Sequence, residues 1–353
     1  NGDADFNGDA GPATAASLNA PEGLIFDNSG NLYIADTGNH RIRKIDASGI
    51  ISTAAGNGDA DFNGDAGPAT AASLNVPRDI AIGPSGKIYI ADTANHRIRR
   101  IFTTTGEIFT YAGIGKPGRP RAGTSALSDS LNAPAGIAFS AAGELYIADT
   151  GNHLIRKIRK IGSNHSLSTV VGNSAATPAS QALASDLSAP RRIAFSAAGE
   201  LYIADTGNHL IRKVDAAGAL VTIAGFENVG DYGLARNAIL SGPAAIFVNN
   251  DEVYIADTGN HRIRKIDAAG IISTAAGNRN AGFNGDDSDA TAAELNAPTD
   301  IFFENGEIYI ADTGNHRIRK IDAAGIISTV AGNGNAGFNG DDSDATAAEL
   351  NAP

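Results

Sequence analysis

One twelve-residue stretch recurs six times along the chain and constrains its fold more than any other feature. The first copy, residues 34–45, reads Ile-Ala-Asp-Thr-Gly-Asn-His-Arg-Ile-Arg-Lys-Ile, and five further copies follow almost letter for letter. Successive copies are 56, 57, 56, 52 and 55 residues apart, counted between their first aspartates. A fixed period of this length indicates a repeat architecture, in which units that cannot bury their apolar faces alone pack against their neighbours.

Each repeat contains four β-rich runs. In the first unit they are residues 23–27, 32–35, 41–45 and 50–55, separated by Gly, Asn, Asp and Ser. Runs spaced about ten residues apart with such turn residues predict a four-stranded antiparallel meander. The first two runs are almost continuously apolar, as in strands covered on both faces. The third alternates charge with isoleucine, so we expect it to lie nearer the rim of the sheet.

A linker of about twenty residues follows the fourth run of each unit. In the first such linker, residues 57–67 are rich in glycine and predict a loop. Pro68, followed by alanines and Leu74, predicts a helix of one or two turns, with Asp65 placed to favour its N-terminus. Linkers at 57–77, 277–298 and 333–353 keep the run Phe-Asn-Gly-Asp, whereas those near 115–134, 173–190 and 226–243 have lost it.

Six four-stranded units arranged radially make an all-β fold, a six-bladed β-propeller, which leaves only short and protected sheet edges. We expect one domain over residues 1–353, with short helical turns in the linkers. The predicted blades cover about 22–56, 78–112, 135–172, 191–225, 244–277 and 299–332, and residues 1–21 and 333–353 are equivalent terminal linkers.

The stretch Leu-Tyr-Ile-Ala-Asp-Thr-Gly-Asn-His-Arg-Ile-Arg-Lys at 32–44 resembles the NHL-repeat family. His153 and His209 are followed by Leu, as in the family's namesake triplet, while the other four copies have Arg there. The linker Phe-Asn-Gly-Asp-Ala-Gly-Pro-Ala-Thr-Ala-Ala-Ser-Leu-Asn resembles the long-insert version common in bacteria. The resemblance covers all six units and implies the propeller fold. The family includes interaction platforms, RNA-binding propellers and a few metal-dependent lyases, so the resemblance leaves the function open.

Composition limits the function classes. The formal net charge of −12 argues against nucleic acid as the partner, because nucleic-acid binders carry a large basic surface. The repeated basic residues, Arg41, Arg43 and Lys44 in the first unit, are expected to pair with Asp46 or with linker aspartates and to add little stability.

The chain contains neither Cys nor Met, which excludes disulfides and leaves little for oxidants to attack. It does not begin with Met, and a removed export signal is one explanation. No apolar run approaches the ~18 residues of a membrane span. We therefore expect an extracellular or cell-surface protein without a membrane span.

The two terminal segments of the chain both match a single connection of the ring. A closed ring has one connection between blade 6 and blade 1, yet residues 1–21 and 333–353 both match it, and residues 1–19 equal 57–75 at every position. Three interpretations stay open: the spare linker lies on the surface, the chain is cut from a longer array, or the spare end fills the slot of a neighbouring copy, which forms rings or filaments. The apolar residues expected to dock a terminal linker are Phe6, Leu18, Phe338 and Leu350.

The repeated polar residues are predicted to be structural, because a reaction needs one asymmetric constellation of side chains and not six equivalent ones. Each aspartate is expected to accept backbone N–H groups in its turn. Each histidine is expected to hydrogen-bond between neighbouring blades, since six histidines on a circle cannot converge on one zinc ion. The residues concerned are Asp36, Asn39, His40, Asp92, Asn95, His96, Asp149, Asn152, His153, Asp205, Asn208, His209, Asp257, Asn260, His261, Asp312, Asn315 and His316.

Two linker loops resemble the first half of a calcium-binding loop, with oxygen ligands at positions 1, 3 and 5. These residues are Asp3, Asp5 and Asn7, and in the second copy Asp59, Asp61 and Asn63. The acid expected at position 12 is replaced by threonine in both copies. A turn that caps the short helix is the preferred interpretation, and no metal or cofactor is expected.

The sequence thus favours a non-enzymatic scaffold that binds another protein or copies of itself. The alternative is a lyase or lactonase with a divalent metal at the channel mouth. Its side chains would have to come from segments that differ between blades, and the most divergent are residues 113–125, 159–167 and 226–238.

Overall fold

The computed structural model describes residues 9–10, 16, 18–120, 125–161, 164–172, 186–215, 217–225, 233–304 and 306–331. The chain divides into two compact units, residues 1–187 and 188–353. Each unit contains three antiparallel sheets. Among the described residues, no helix is long and apolar enough to cross a membrane.

The first unit holds blades 1 to 3. Its strands are β1 (Pro21–Phe26), β2 (Leu32–Asp36), β3 (Arg41–Ile45), β4 (Ile51–Ala55), β5 (Gly67–Pro68), β6 (Pro77–Ile82), β7 (Ile88–Asp92), β8 (Arg97–Phe102), β9 (Glu107–Ala112), β10 (Pro134–Phe139), β11 (Leu145–Asp149), β12 (Leu154–Ile161) and β13 (Asn164–Val171). Blade 1 is β1–β4, blade 2 is β6–β9 and blade 3 is β10–β13, each with neighbouring strands in chain order.

The second unit holds blades 4 to 6. Its strands are β14 (Arg192–Phe195), β15 (Leu201–Asp205), β16 (Leu210–Val214), β17 (Leu220–Ala224), β18 (Gly233–Leu234), β19 (Ala245–Asn249), β20 (Glu252–Asp257), β21 (Arg262–Ile266), β22 (Ile271–Ala276), β23 (Ser288–Asp289), β24 (Asp300–Glu304), β25 (Glu307–Asp312), β26 (Arg317–Ile321) and β27 (Ile326–Ala331). Blade 4 is β14–β17, blade 5 is β19–β22 and blade 6 is β24–β27.

Six consecutive antiparallel meanders confirm the predicted fold class, an all-β, six-bladed β-propeller. The period-two alternation of each strand explains how the blades pack. One face of blade 1 places Tyr33, Ala35 and Ile42 in a buried cluster with Ile80 and Ile90 of blade 2. The same arrangement joins blades 2 and 3 in the first unit, and blades 4, 5 and 6 in the second. Within each unit, a blade therefore offers a Tyr/Ala/Ile face to the blade that follows it, which contributes an aliphatic face.

The linker into blade 2 differs from its prediction. Gly67 and Pro68 form a short fifth strand, β5, that pairs with β9, and the expected helix is a single 3-10 turn at Ala69–Ala71. The extended backbone of β5 leaves only three residues free to turn. The two-residue strands β18 and β23 add to blades 5 and 6 in the same way. Asp65 does not cap the turn, because its carboxylate pairs with Arg99 in blade 2.

Candidate functional site at the blade–linker contacts

The turn between the second and third strands of each blade gathers the repeated polar residues. In blade 1, β2 ends at Asp36, a 3-10 turn covers Thr37–Asn39, and β3 begins at Arg41. His40 lies between the turn and β3 with a left-handed backbone, at φ 55°. The equivalent histidines in all blades have φ between 53° and 60°. Few residues other than glycine adopt this conformation, so side-chain contacts must hold the histidine there.

The aspartate of this turn binds the linker that leads into its own blade. Asp36 is fully buried, and its Oδ1 atom accepts a 2.7 Å hydrogen bond from the backbone N–H of Asn19. Its Oδ2 atom accepts a 2.9 Å bond from Nδ2 of Asn39. The equivalent backbone donors in the other blades are Asn75, Asn132, Ser188, Ser241 and Asn296. The aspartates were predicted to accept backbone N–H groups of their own turn; in blade 1 the linker supplies the backbone donor, and the turn supplies the side-chain amide of Asn39.

A buried arginine completes what we call the Asp–Asn–Arg cluster, which in blade 1 is Asp36, Asn39 and Arg43. The guanidinium of Arg43 is fully buried, with Nη1 3.5 Å from Asp36 Oδ2 and Nη2 2.9 Å from Asp9 Oδ1. Asp9 belongs to the linker, so Arg43 makes the predicted pair with a linker aspartate, and the linker covers its side chain. Breaking a buried pair costs about 3–5 kcal/mol. Asp46, the other predicted partner, instead accepts backbone N–H groups of its own turn.

The cluster recurs in the other blades whose linkers keep Phe-Asn-Gly-Asp. In blade 2, Arg99 lies 3.4 Å from Asp92 and 2.9 Å from the linker residue Asp65. In blade 6, Arg319 lies 3.5 Å from Asp312 and 2.7 Å from the linker residue Asp286. The last residue of the Phe-Asn-Gly-Asp run thus supplies the second carboxylate.

Blade 3 retains the ion pair although its linker has lost this run. Arg156 pairs at 2.6 Å with Asp129, which comes from a later position of the linker, and lies 3.5 Å from Asp149. The side chains of Arg156 and Asp129 are both buried. The position of the carboxylate in space is therefore kept while its position in the sequence moves.

The linker phenylalanine covers the arginines of the third strand. The ring of Phe62 lies 3.8 Å from the guanidinium carbon of Arg97 and 4.8 Å from that of Arg99. Phe283 lies 3.7 Å from Arg317 and 4.8 Å from Arg319. Cation–π contacts of this kind are worth about 0.5–2 kcal/mol. Sequence reasoning missed this role, although the constant place of phenylalanine in these linkers is a signal for it.

The other half of the turn binds the next blade. His40 Nδ1 accepts a 3.1 Å hydrogen bond from the backbone N–H of Val76, just before blade 2, and Thr37 Oγ1 donates a 2.6 Å bond to the carbonyl of Pro77. The same histidine contact is made by His96, His209 and His261 with the linkers that follow their blades. Because Nδ1 is the acceptor, the neutral ring carries its proton on Nε2. The threonine was not singled out in the sequence.

Burial sets the charge states at these turns. It raises the pKa of Asp92, Asp149 and Asp312 to about 6, against the lowering effect of their hydrogen bonds and of the neighbouring arginine. Burial lowers the pKa of His40 and His96, which favours the neutral ring that accepts the linker N–H.

The candidate calcium loop is engaged in its own backbone contacts. Asn63 Oδ1 accepts the backbone N–H of Ser73 at 2.8 Å, and Asp61 Oδ1 accepts the adjacent Phe62 N–H at 2.8 Å. Asp59 Oδ2 accepts a bond from the Asn57 side chain. Asp3, Asp5 and Asn7 lie outside the described residues. Within the ranges that the structure describes, no three His, Asp or Glu side chains come together in a possible metal site.

Of the four predicted anchors, Leu18 is half-buried, whereas Phe6, Phe338 and Leu350 lie outside the described residues.

The first strands of the blades carry charged residues that are not the same in every blade. Arg78 lies 3.5 Å from Glu22 in the first unit, and Arg192 lies 3.4 Å from Asp300 in the second.

Comparison with known families identifies the repeat. The model of the teneurin NHL domain matches residues 1–61, and the NHL-repeat model matches residues 74–101, 131–158, 240–266 and 295–321. The matches to the NHL-repeat model include the Asp, Asn and His of the turn in four blades.

Curated relatives share the repeat at moderate identity. The chain is 30% identical over 317 residues to Protein SUPPRESSOR OF QUENCHING 1, chloroplastic, of Arabidopsis thaliana, covering 87% of this chain and 25% of that protein. It is 32% identical over 251 residues to mouse Teneurin-3, covering 63% of this chain and 9% of that protein. It is 28% identical over 330 residues to bovine NHL repeat-containing protein 2, covering 83% and 45%. The chain spans less than half the length of each of these relatives.

Solved structures share the fold at low identity. An auxiliary nutrient binding protein of Bacteroides thetaiotaomicron has a TM-score of 0.63 at 19% identity, covering 92% of this chain and 72% of that one. Virginiamycin B lyase of Staphylococcus aureus has a TM-score of 0.57 at 16% identity, covering 88% and 83%. With its family-model matches and its six meander sheets, the chain is a β-propeller of the NHL-repeat family.

Proposed function

We propose that the protein is a non-enzymatic scaffold outside the cell or at its surface that mediates protein–protein interaction, and that a second copy of the chain is one of its partners. The observation that carries the proposal is the use of the repeat's polar residues. Hydrogen bonds and ion pairs from these side chains hold the linkers to the blades. In blade 1 the residues are Asp36, Asn39, His40 and Arg43. Side chains committed in this way build a rigid surface and are not available to a substrate.

Two further observations support this function. The relatives include a teneurin and NHL repeat-containing protein 2, which share the repeat with this chain. The terminal linkers 1–21 and 333–353 duplicate one connection, and the spare copy supplies a segment for head-to-tail exchange between molecules. In that exchange Phe6, Leu18, Phe338 and Leu350 are the proposed anchors. The absence of Cys and Met agrees with an oxidising environment.

The test has a binding arm and an activity arm. In the first, the immobilised chain is cross-linked to secreted and surface proteins of its source, and each captured protein is purified and titrated against the chain. We expect saturable binding at a fixed stoichiometry. In the second, the chain is incubated with virginiamycin B or gluconolactone and with Mg²⁺, Mn²⁺ or Ca²⁺. Turnover together with the absence of any saturable protein ligand, a second copy included, contradicts the proposal and supports the lyase or lactonase alternative.

A further inference from the structure

Blade 2 carries two half-buried cations, Lys87 and Arg100, that lack a carboxylate partner. Arg100, on β8, lies opposite Tyr89 in the register of the sheet, and Tyr89 belongs to the buried cluster that blade 2 shares with blade 3. The Lys87 ammonium donates a 3.3 Å hydrogen bond to Ser85 Oγ, and the Arg100 guanidinium contacts aromatic rings. Neither side chain forms an ion pair with a residue that the structure describes.

Four other blades place a glutamate of their own at this position. In blade 4, Lys213 stands at the position of Arg100, and its Nζ lies 2.8 Å from Glu200, which stands at the position of Lys87. The same glutamate accepts the Tyr202 hydroxyl at 3.1 Å. Blades 3, 5 and 6 repeat the lysine–glutamate pair at 3.0, 2.6 and 2.8 Å: Lys157–Glu144, Lys265–Glu252 and Lys320–Glu307. This position of the blade is therefore built for a carboxylate.

Blade 1 keeps a carboxylate at this place by another route. Asn31 replaces the glutamate, and its Nδ2 atom donates a 2.7 Å hydrogen bond to Asp27 Oδ2. The residue of blade 2 at the position of Asp27 is Gly83. Blade 2 is thus the exception among the six blades.

A second carboxylate is also replaced in blade 2. Phe102 stands where blades 1, 4, 5 and 6 have an aspartate: Asp46, Asp215, Asp267 and Asp322. The carboxylate of Glu107, opposite Phe102 on β9, accepts the Thr105 hydroxyl at 3.0 Å and pairs with neither cation. Two like charges are left on one face, and a bound carboxylate would relieve their repulsion.

Aromatic rings hold the two cations in place. The centroid of the Phe102 ring lies 4.5 Å from Arg100 Cζ and 5.2 Å from Lys87 Nζ. The Tyr111 ring lies 4.9 Å from the same arginine carbon, and Phe109 packs edge-to-face on Phe102 at 5.4 Å. Since these contacts already restrict the cations, a ligand loses less affinity to side-chain ordering.

We propose that Lys87 and Arg100 bind the carboxylates of an acidic segment of a partner protein, while the half-exposed rings of Phe102 and Phe109 contact its apolar atoms. The inference rests on the proposed function and specifies the chemistry of the partner. A glutamate or aspartate side chain matches the group that the other blades supply at this position. Nucleic acid matches it less well, because the net charge of −12 repels a long polyanion.

The experiment measures, by fluorescence anisotropy, the binding of a labelled peptide, Gly-Leu-Glu-Glu-Leu-Gly, to the full-length chain. The matched peptide has glutamine in place of both glutamates. Lys87→Glu supplies the carboxylate that blades 3 to 6 carry and should fill the site from within, and Arg100→Gln removes the other cation. Lys116→Glu makes the same charge change at an exposed position of the linker into blade 3 and is the control. Circular dichroism checks folding, and either site variant alone suffices for the test.

We expect saturable binding of the glutamate peptide at a fixed stoichiometry and no saturable binding of the glutamine peptide. Lys87→Glu and Arg100→Gln should each weaken binding by about tenfold or more, and Lys116→Glu should leave it unchanged. The absence of saturable binding, or an equal loss in Lys116→Glu, overturns the inference. An oligodeoxythymidine that binds more tightly than the peptide through the same two residues overturns it in favour of nucleic acid.

A purified protein partner separates this inference from the proposed function. If the partner binds the Lys87→Glu variant as tightly as the unaltered chain, the scaffold function stands and only the acidic-segment site fails. If no protein binds the chain saturably, the proposed function fails as well.

Discussion

The Nδ1 atom of His96 accepts a 3.0 Å hydrogen bond from the backbone N–H of Ala133, a residue that lies 37 positions later and just before blade 3. The bond holds the side chain of His96 in a turn where its backbone is left-handed, at φ 53°. It also ties the end of a linker to the blade that the linker leaves.

Replacing His96 with Asn should lower the free energy of unfolding by about 1–3 kcal/mol, because the Ala133 N–H loses its acceptor. Asn is chosen because it tolerates a left-handed backbone better than most residues. Urea unfolding followed by circular dichroism measures the change. Thr104→Asn, in an exposed turn of the same blade, is the control and should be neutral. Equal stability of the His96 and Thr104 variants would show that the bond contributes nothing.

The same histidines predict a loss of stability in mild acid. Burial lowers the folded-state pKa of His40 and His96 below 6.5, so the folded state binds fewer protons than the unfolded state in this range. Their contribution is complete above about pH 6.5 and is lost as the pH falls through 6.5 toward the lower folded-state pKa. Titration of the imidazole C–H signals by NMR measures both values. A folded-state pKa above 6.5 at either residue contradicts this assignment.

Asp92 changes the free energy of unfolding with pH in the opposite direction to the two histidines. Burial raises its pKa from 3.8 to about 6, so the folded state binds more protons than the unfolded state between these values. Stability from this group is present below about pH 4 and falls as the pH rises to 6. Asp92→Asn removes that fall. The unfolding free energy of the variant, taken relative to the unaltered chain, should therefore increase by about 2–3 kcal/mol between pH 4 and 6. Parallel curves for the two proteins would refute the raised pKa.

The two linker aspartates of blades 2 and 3 should differ in importance. Arg156 is buried with a buried partner, Asp129, so Asp129→Asn should cost about 3–5 kcal/mol. Asp65 is 40% exposed and Arg99 also donates to the backbone carbonyl of Asn63, so Asp65→Asn should cost about 1 kcal/mol. Thermal and urea unfolding of the two variants test the order. A larger loss for Asp65→Asn would mean that burial does not control these pairs.

The linker phenylalanine gives a test that separates charge from apolar packing. Phe62→Leu keeps most of the apolar area but removes the ring that faces Arg97 and Arg99, and we expect a loss of about 1 kcal/mol. Phe62→Ala removes both and should cost more. Phe62→Tyr keeps the aromatic face and serves as the control. If the Leu variant is as stable as the Tyr variant, the ring acts only through its apolar area.

The fold could be predicted from the sequence because its signals are local and repeated. Four short apolar runs between turn residues, such as Leu32–Ala35 before Asp36, specify a meander, and six copies specify a propeller. The Asp, Asn and His of the turn could be identified for the same reason, because they recur in all six copies. The period alone cannot show which group each side chain contacts, and the carboxylate of Asp36 binds a linker residue 17 positions earlier.

Burial of charge was the main feature that the sequence did not reveal. The alternation of Arg43 with isoleucine suggests an exposed edge, yet the linker folds back over the side chain and supplies a carboxylate. Asp129 shows why pattern matching fails at such a site, since it performs this role without the Phe-Asn-Gly-Asp run.

The mass of the 353-residue chain in solution, measured by light scattering from nanomolar to high micromolar concentration, tests the central claim most directly. The proposed head-to-tail scaffold predicts masses that rise with concentration in multiples of the 35.9 kDa chain. A constant mass of 35.9 kDa over the whole range would contradict self-association and leave only partner proteins of another kind.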